Sequence, residues 1–532
     1  MATTETKNTT EHVEGANDLT ESLTVARQED AADHKISKLD AFKKDKRAVL
    51  WCLFIVWTSL LVSFESNASG NVIGIPQFRQ DFGSFFNGDF VLDAKWQSAF
   101  TAAPTASFAI GALTCGSISD TIGRKYTVMG GILGSFVTIT MEMVATTNGL
   151  FFAGKFLNGF VVGLLAAVSP TYLGEIVPLA LRGLLTAMIA FAYALGPLTA
   201  AIIVNSTGTK TNAWAYRAVF CAQYGFCVIA AIFAPFMPES PWWLVSKGRD
   251  EKALKSIRSL GCNTDIEALR KLAVIKVTLE EVRRETDGAT YMECFRVSNL
   301  RRTMISIAPL TIQALGGVIF IAGYFVYYAQ LAGYSSAASF TLYVIFQIMS
   351  MAGNVASWFV IDRVGRRNLT MYGTAALMVL LMLAGGFATA GQKPAIKGVI
   401  SMMMIYAFVY NSTIGATGYT ILTEIATSRL RVKTIAIGIA LQNIIYMVLG
   451  FVLPYLFNPN YLNLGAKISF IFGGFSVLSI AYLYFNQPET TGRSYEELDS
   501  MFAAKVPARM FKEYITEVNI EISADTKGED AI

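Results

Sequence analysis

The chain is poor in charge and nearly empty of histidine. Only 15% of its 532 residues are Asp, Glu, Lys or Arg, against about 25% in an ordinary soluble domain. That is too little charge to cover the surface of a water-soluble protein this long. Both histidines, His12 and His34, lie in the polar first 47 residues, so no His-based catalytic or metal set can form in the apolar body. The six cysteines are no disulfide framework. Cys52, Cys115, Cys221 and Cys227 fall in apolar runs, where they read as small packing residues. No Gly-x-x-x-x-Gly-Lys-Ser/Thr loop is present, which argues against ATP-driven chemistry. The net charge of +4 is too small to suggest a nucleic-acid partner. No cofactor, metal or enzymatic activity is expected.

Apolar sequence is abundant. Hydrophobic residues make up 53% of the chain, and the mean hydropathy is +0.45. Twelve apolar stretches lie near 48–76, 95–117, 127–147, 149–173, 183–204, 216–237, 303–330, 337–361, 369–390, 397–424, 433–456 and 467–487. Each approaches or exceeds the ~20 residues that cross a bilayer as a helix. The expected fold class is an all-α polytopic membrane protein with the lipid bilayer as its surroundings. Residues 1–47 and 488–532 read as cytoplasmic tails, disordered at their polar ends. Residues 48–237 and 303–487 form two six-helix bundles. Residues 238–302 form a cytoplasmic insert, with short amphipathic helices at Lys252–Leu260, Asp265–Leu272 and Leu279–Arg284.

Lys and Arg set the orientation. Lys43–Arg47, Arg124–Lys125, Arg363 with Arg366–Arg367, and Arg429, Arg431 and Lys433 share one side, which places both termini in the cytoplasm. The sequon at Asn205 then lies outside and is open to glycosylation, whereas those at Asn67 and Asn411 fall inside helices.

The two halves repeat. Asp120 and Arg124 after the second stretch match Asp362 and Arg366 after the eighth. Glu175 and Arg182 match Glu424 and Arg431, and Glu239 matches Glu489. Each pair is offset by roughly 250 residues, the pattern of a duplicated six-helix unit with a substrate site at the midplane. These charges share the cytoplasmic side. They read either as a gate that ties the halves together in one state and parts in the other, or as anchors that fix loops and topology.

Glu65 lies roughly 25 Å along the first helix at 1.5 Å per residue. A carboxylate at that depth is costly and points to function. Lys155, early in the fourth helix, falls in the same layer. The two read either as a pair that opens on protonation or as a permanent structural ion pair. Glu142 on the third helix is expected to snorkel to the outer interface, or else to compete for Lys155.

The chain resembles the sugar porter family of the major facilitator superfamily over roughly 48–502. The resemblance rests on the repeated Asp–Gly–Arg loops, Pro-Glu-Ser-Pro-Trp-Trp-Leu at 238–244 and Pro-Glu-Thr-Thr-Gly-Arg-Ser at 488–494. Residues around Tyr410-Asn411, Ser428–Thr434, Gln442–Tyr446 and Asn458-Pro459 are more similar to fungal α-glucoside, or maltose-type, permeases. The resemblance implies two six-helix bundles working by alternating access, a sugar substrate such as an α-glucoside, symport with protons, and a plasma-membrane location. It places Ser63-Phe64-Glu65 where proton-coupled porters carry Gly-Tyr-Asp, and Lys155 where the family usually has Arg. It aligns Gln313 and Tyr324 with a Gln-x-x-x-Gly…Tyr pattern. With Tyr327, Tyr328, Asn411, Tyr419, Gln442 and Asn443 these are the candidate sugar contacts; interhelical hydrogen bonding is the competing role for the amides. Ala190, Ile319 and Ile414 stand where the family often has Gln, Asn and Trp. A less polar metabolite therefore stays open as the substrate, as does a non-transporting sugar sensor.

Overall fold

The computed structural model describes residues 38–514, apart from 87–88, 179–180, 263, 287–289, 391, 459–460, 492 and 494. The far ends of both tails lie outside the described residues. Among those described, twelve helices are long and apolar enough to cross a membrane. The first six are Lys46–Ala68, Ala94–Ile122, Arg124–Val144, Asn148–Ile176, Leu184–Thr207 and Trp214–Phe236. The last six are Val297–Gln330, Ser336–Ile361, Arg366–Ala390, Pro394–Ile425, Arg431–Phe457 and Gly465–Asn486. They are numbered here as spans in that order.

Two spans of the second half are broken. The seventh is a helix over Val297–Leu315 and another over Val318–Leu331. Gly317 joins them at φ +88°, and a Cβ there would sit 2.9 Å from Phe472. The tenth breaks between Lys393–Ser412 and Ile414–Ile425. The breaks are stitched to each other. Tyr406 donates from its hydroxyl to the Gly316 carbonyl at 2.6 Å, and Gln313 Nε2 donates to the Ile414 carbonyl at 2.6 Å. Irregular backbone survives at membrane depth only with such partners.

The insert holds helices Pro241–Ser246, Asp250–Leu260 and Asp265–Thr286. The two short helices expected at Asp265–Leu272 and Leu279–Arg284 are therefore one. No Gly or Pro interrupts residues 265–286, and Ala268, Leu272 and Ile275 pack with Trp243, Leu244 and Ile257 along a single face. The C-terminal segment also departs from expectation. Tyr495–Ala503 is helical, and Met501, Val506 and Phe511 are buried together. Arg493 Nη2 collects the carbonyls of Phe511 and Tyr514 at 3.1 and 2.7 Å. A small apolar nucleus and one guanidinium thus order a stretch that its polarity marked as loose. Beyond the first span, Ser84–Phe86 and Asp89–Val91 pair antiparallel as a hairpin.

Direct hydrogen bonds between the halves gather at the end opposite the arginine-rich loops. Ser98 Oγ donates to the Phe451 carbonyl at 2.8 Å, and Thr101 Oγ1 to the Gly450 carbonyl at 3.1 Å. Tyr461 donates to Asp93 at 2.9 Å, and Arg79 Nη2 to Gln330 Oε1 at 2.8 Å. Asn205 lies within the fifth span and accepts from Thr341 of the eighth at 3.1 Å. The bond uses Asn205 Oδ1 and leaves its amide nitrogen, the atom that a glycan would take, exposed.

Candidate functional site

Between the closed end and the basic end lies a cavity of about 360 Å³ lined by both halves. Glu65, Ser66 and Asn67 reach it from the first span, and Thr101, Pro104 and Thr105 from the second. Lys155 and Asn158 come from the fourth, and Ile319, Tyr343 and Asn443 from the seventh, eighth and eleventh. Phe100, Phe108 and Val162 add apolar wall. Glu65 and Lys155 thus share one cavity, the layer expected of them.

Their pairing differs from expectation. Lys155 Nζ lies 2.6 Å from Glu142 Oε2, with both side chains almost wholly removed from solvent. Glu142 does not snorkel; it is 1% exposed, and its other oxygen accepts from Asn158 Nδ2 at 2.8 Å. The third span packs its Glu142 face onto Gly154 of the fourth, where a Cβ would stand 3.1 Å from Glu142 Cγ. This close approach draws the carboxylate inward to the lysine. Glu65 is also buried, and neither of its oxygens makes a hydrogen bond among the described residues. The groups that act on it electrostatically are Glu142 and Lys155.

The candidate sugar contacts divide. Asn443 lines the cavity, with Nδ2 bonded to the Ile439 carbonyl at 2.9 Å. Gln313 is buried and engaged at both ends, since its Oε1 accepts from Gln442 Nε2 at 2.9 Å while its Nε2 serves the tenth-span break. Tyr419 is half exposed and donates to Gln442 Oε1 at 3.3 Å. Asn411 Nδ2 donates to its own helix at Ala407, 2.8 Å away. Tyr324 and Tyr328 are buried against Phe457, with ring centroids 5.3 and 6.3 Å from it. Gln313, Tyr324, Tyr328, Asn411 and Tyr419 therefore stand off this cavity. The cavity wall also holds Asn67, Asn158, Thr101, Thr105 and Tyr343, which the sequence did not single out as substrate contacts. Asn158 was within reach, because it follows Lys155 by one helical turn and shares its face.

The paired charges at the basic end form two near-copies. Arg124 Nη1 and Nη2 lie 2.9 Å from Asp120 and 3.0 Å from Glu175. Arg366 Nη2 lies 3.3 Å from Glu424. Glu239 Oε1 accepts the backbone N–H groups of Arg124 and Lys125 at 2.8 and 3.1 Å. Glu489 accepts those of Arg366 and Arg367 at 2.9 and 3.2 Å. Each glutamate thus caps the positive end of a span. Gly123 and Gly365 precede those caps at φ +100° and +89°. Each set closes within its own half. Arg182 is exposed, Arg431 opens the eleventh span, and the side chain of Asp362 lies outside the described ones. Among the described residues, the hydrogen bonds that join the two halves lie at the end opposite these charges, while Arg124 pairs with Asp120 and Glu175 and Arg366 with Glu424 inside single halves.

Known proteins agree with this architecture. Residues 51–502 match the family model described as sugar (and other) transporter. A maltose permease of Saccharomyces cerevisiae is 30% identical over 503 residues, 93% of this chain and 82% of its own length. A general alpha-glucoside permease of the same yeast is 28% identical, over 91% and 80%. Among solved structures, the inward-open xylose transporter XylE from E. coli superposes with a TM-score of 0.69 at 19% identity, over 85% of this chain and 99% of that one. Identity that low speaks to the fold alone. The chain is an integral membrane protein with the major facilitator fold, and it belongs to the sugar (and other) transporter family.

Proposed function

We propose that the protein imports a sugar, an α-glucoside in particular, by symport with protons, and that Glu65 carries the proton. The observation that carries the coupling is Glu65 itself: a buried carboxyl group whose oxygens lie within no hydrogen-bond distance and angle of a donor among the described residues, facing the central cavity beside a lysine already paired elsewhere. An anion so placed is costly. A carboxyl group that must be protonated to sit there ties proton uptake to the state of the carrier. The maltose and α-glucoside permeases among its relatives support the substrate class. The cavity suits it, since Asn67, Asn158, Asn443 and Thr101 offer hydrogen bonds and Phe100, Phe108 and Tyr343 offer ring faces. Its volume sits at the small end of the about 300–1,000 Å³ typical of ligand sites.

The basic end faces the cytoplasm by the positive-inside rule, with both termini there and the protein in the plasma membrane. In the outward-facing state the Arg124 and Arg366 sets engage across the cytoplasmic entrance. In the state described here Arg124 pairs with Asp120 and Glu175, and Arg366 with Glu424, each inside one half. Uptake of labelled maltose, glucose and sucrose in transporter-null yeast at pH 5 and 7, with external pH recorded, tests the reading. Maltose uptake with matching alkalinisation is expected. A surface-resident protein that takes up none of the three would refute it.

A further inference from the structure

The proton site holds more acid than a simple pair needs. Two buried carboxylates, Glu65 and Glu142, meet one buried ammonium, Lys155. With one proton bound the set is neutral, and without it the set carries one uncompensated negative charge. The lysine has chosen the acid on the third span. Glu142 is held from both sides, by Lys155 at 2.6 Å and by the Asn158 amide at 2.8 Å, while Glu65 is left bare. Lys155 also lies over the rings of Phe220, at 5.0 Å, and Phe151, at 5.8 Å. Such faces attract a cation without fixing its direction. A lysine is a compact point charge on a flexible stem, whereas an arginine fork would commit to one partner.

We propose that Glu142 is a second carboxylate of the coupling site, competing with Glu65 for Lys155, so that the lysine changes partners during the transport cycle. This rests on Glu65 as the proton carrier. While Lys155 sits on Glu142, as here, Glu65 keeps its proton. When Lys155 crosses to Glu65, the Glu65 O–H bond breaks and its proton passes to water in the cavity. Glu142 then keeps the Asn158 hydrogen bond. Asn158 lines the cavity, so a substrate hydroxyl that draws on its amide loosens Glu142 and links occupancy to the exchange.

The other groups around Glu65 leave the competition to these three. The third span brings the Ser135 hydroxyl and the sixth the Cys227 thiol. The fifth span carries Arg182 at its basic end and the phenol of Tyr193 as its ionisable groups. The second span has Lys95 at its start and Asp120 near its end, neither of which lines the cavity.

The test compares Glu142→Gln, Glu142→Asp and the double variant Glu65→Gln/Glu142→Gln, each full length in transporter-null yeast. Glu142→Gln is expected to reach the surface, because Glu65 takes over the lysine. Its half-maximal uptake should move to lower external pH by about one unit, since an opposite charge at contact favours the Glu65 anion by about that much or more. Glu142→Asp should restore most of the wild-type profile. The double variant leaves a buried ammonium with no carboxylate and should lose most folded protein, which Lys155→Met added to it should recover. A Glu142→Gln protein that fails to fold, an unmoved pH profile, or a double variant as abundant as the single would each overturn the proposal. If the wild type itself moves sugar without protons, the reading of Glu65 fails instead, and the two failures are told apart by that control.

Discussion

Gln313 separates a sugar ligand from a structural amide. In the structure it donates to the Ile414 carbonyl at 2.6 Å and accepts from Gln442 at 2.9 Å, joining the seventh, tenth and eleventh spans where two of them are broken. Gln313→Met keeps the volume and removes both of these bonds, together with a longer one from Nε2 to the Gly415 carbonyl at 3.3 Å. Interhelical hydrogen bonds in membranes average about 0.6 kcal/mol each, so their loss alone costs about 1 kcal/mol. The Gln442 amide keeps one long bond to the Leu310 carbonyl, 3.4 Å away, so part of its unpaired cost, about 1–3 kcal/mol, remains. The sum is about 2 kcal/mol, a roughly thirty-fold shift in the folding equilibrium. Reversible unfolding of purified protein in mixed micelles reads it. Gln442→Ala should cost less in the Gln313→Met background than in the wild type, because the bond between them is counted once. The apparent KM for the transported sugar should change little. A wild-type unfolding midpoint with a strongly raised KM would refute the reasoning and return Gln313 to the substrate.

Further expectations follow from the basic end and the cavity. Gly123→Ala should destabilise by about 1–2 kcal/mol or more in the same unfolding assay, because φ is +100° and the new Cβ would stand 2.3 Å from Glu239 Oε2; an unchanged midpoint would remove the cap from the account. Arg124→Ala should slow uptake while leaving equilibrium sugar binding near wild type, and a pure binding defect would contradict a gate. Asn443→Ala, at the cavity wall, should raise KM several-fold with little change in stability, whereas Asn411→Ala should leave KM unmoved. Equal effects of the two would show that the cavity is not the sugar site.

Much of the fold was legible because bilayer length and hydropathy leave few choices. Each of the twelve spans overlaps the apolar stretch that announces it, and the repeat emerges as two near-copies of one capped arginine loop. The breaks in the seventh and tenth spans were not legible. Gly316-Gly317 is tolerated in many continuous membrane helices, and only the facing Tyr406 and Gln313 show why this one parts. The hairpin after the first span had a signal in the Asn-Gly pair at 87–88, flanked by Phe85-Phe86 and Phe90-Val91. In the site, depth and the family resemblance together singled out Glu65 and Lys155. Helix rotation decided the rest. Glu142 turns inward onto Gly154 rather than outward to the interface, and Tyr324 and Tyr328 turn onto Phe457 rather than into the cavity. A single sequence gives the height of a residue along a helix better than its direction around it.

The central claim is that Glu65 carries the coupled proton. Purified protein in liposomes, with an inward proton gradient and labelled maltose outside, tests it directly when wild type is set beside Glu65→Gln. The account predicts that Glu65→Gln loses accumulation above equilibrium while retaining maltose counterflow across unlabelled, preloaded vesicles. Gradient-driven accumulation by Glu65→Gln equal to wild type would contradict it.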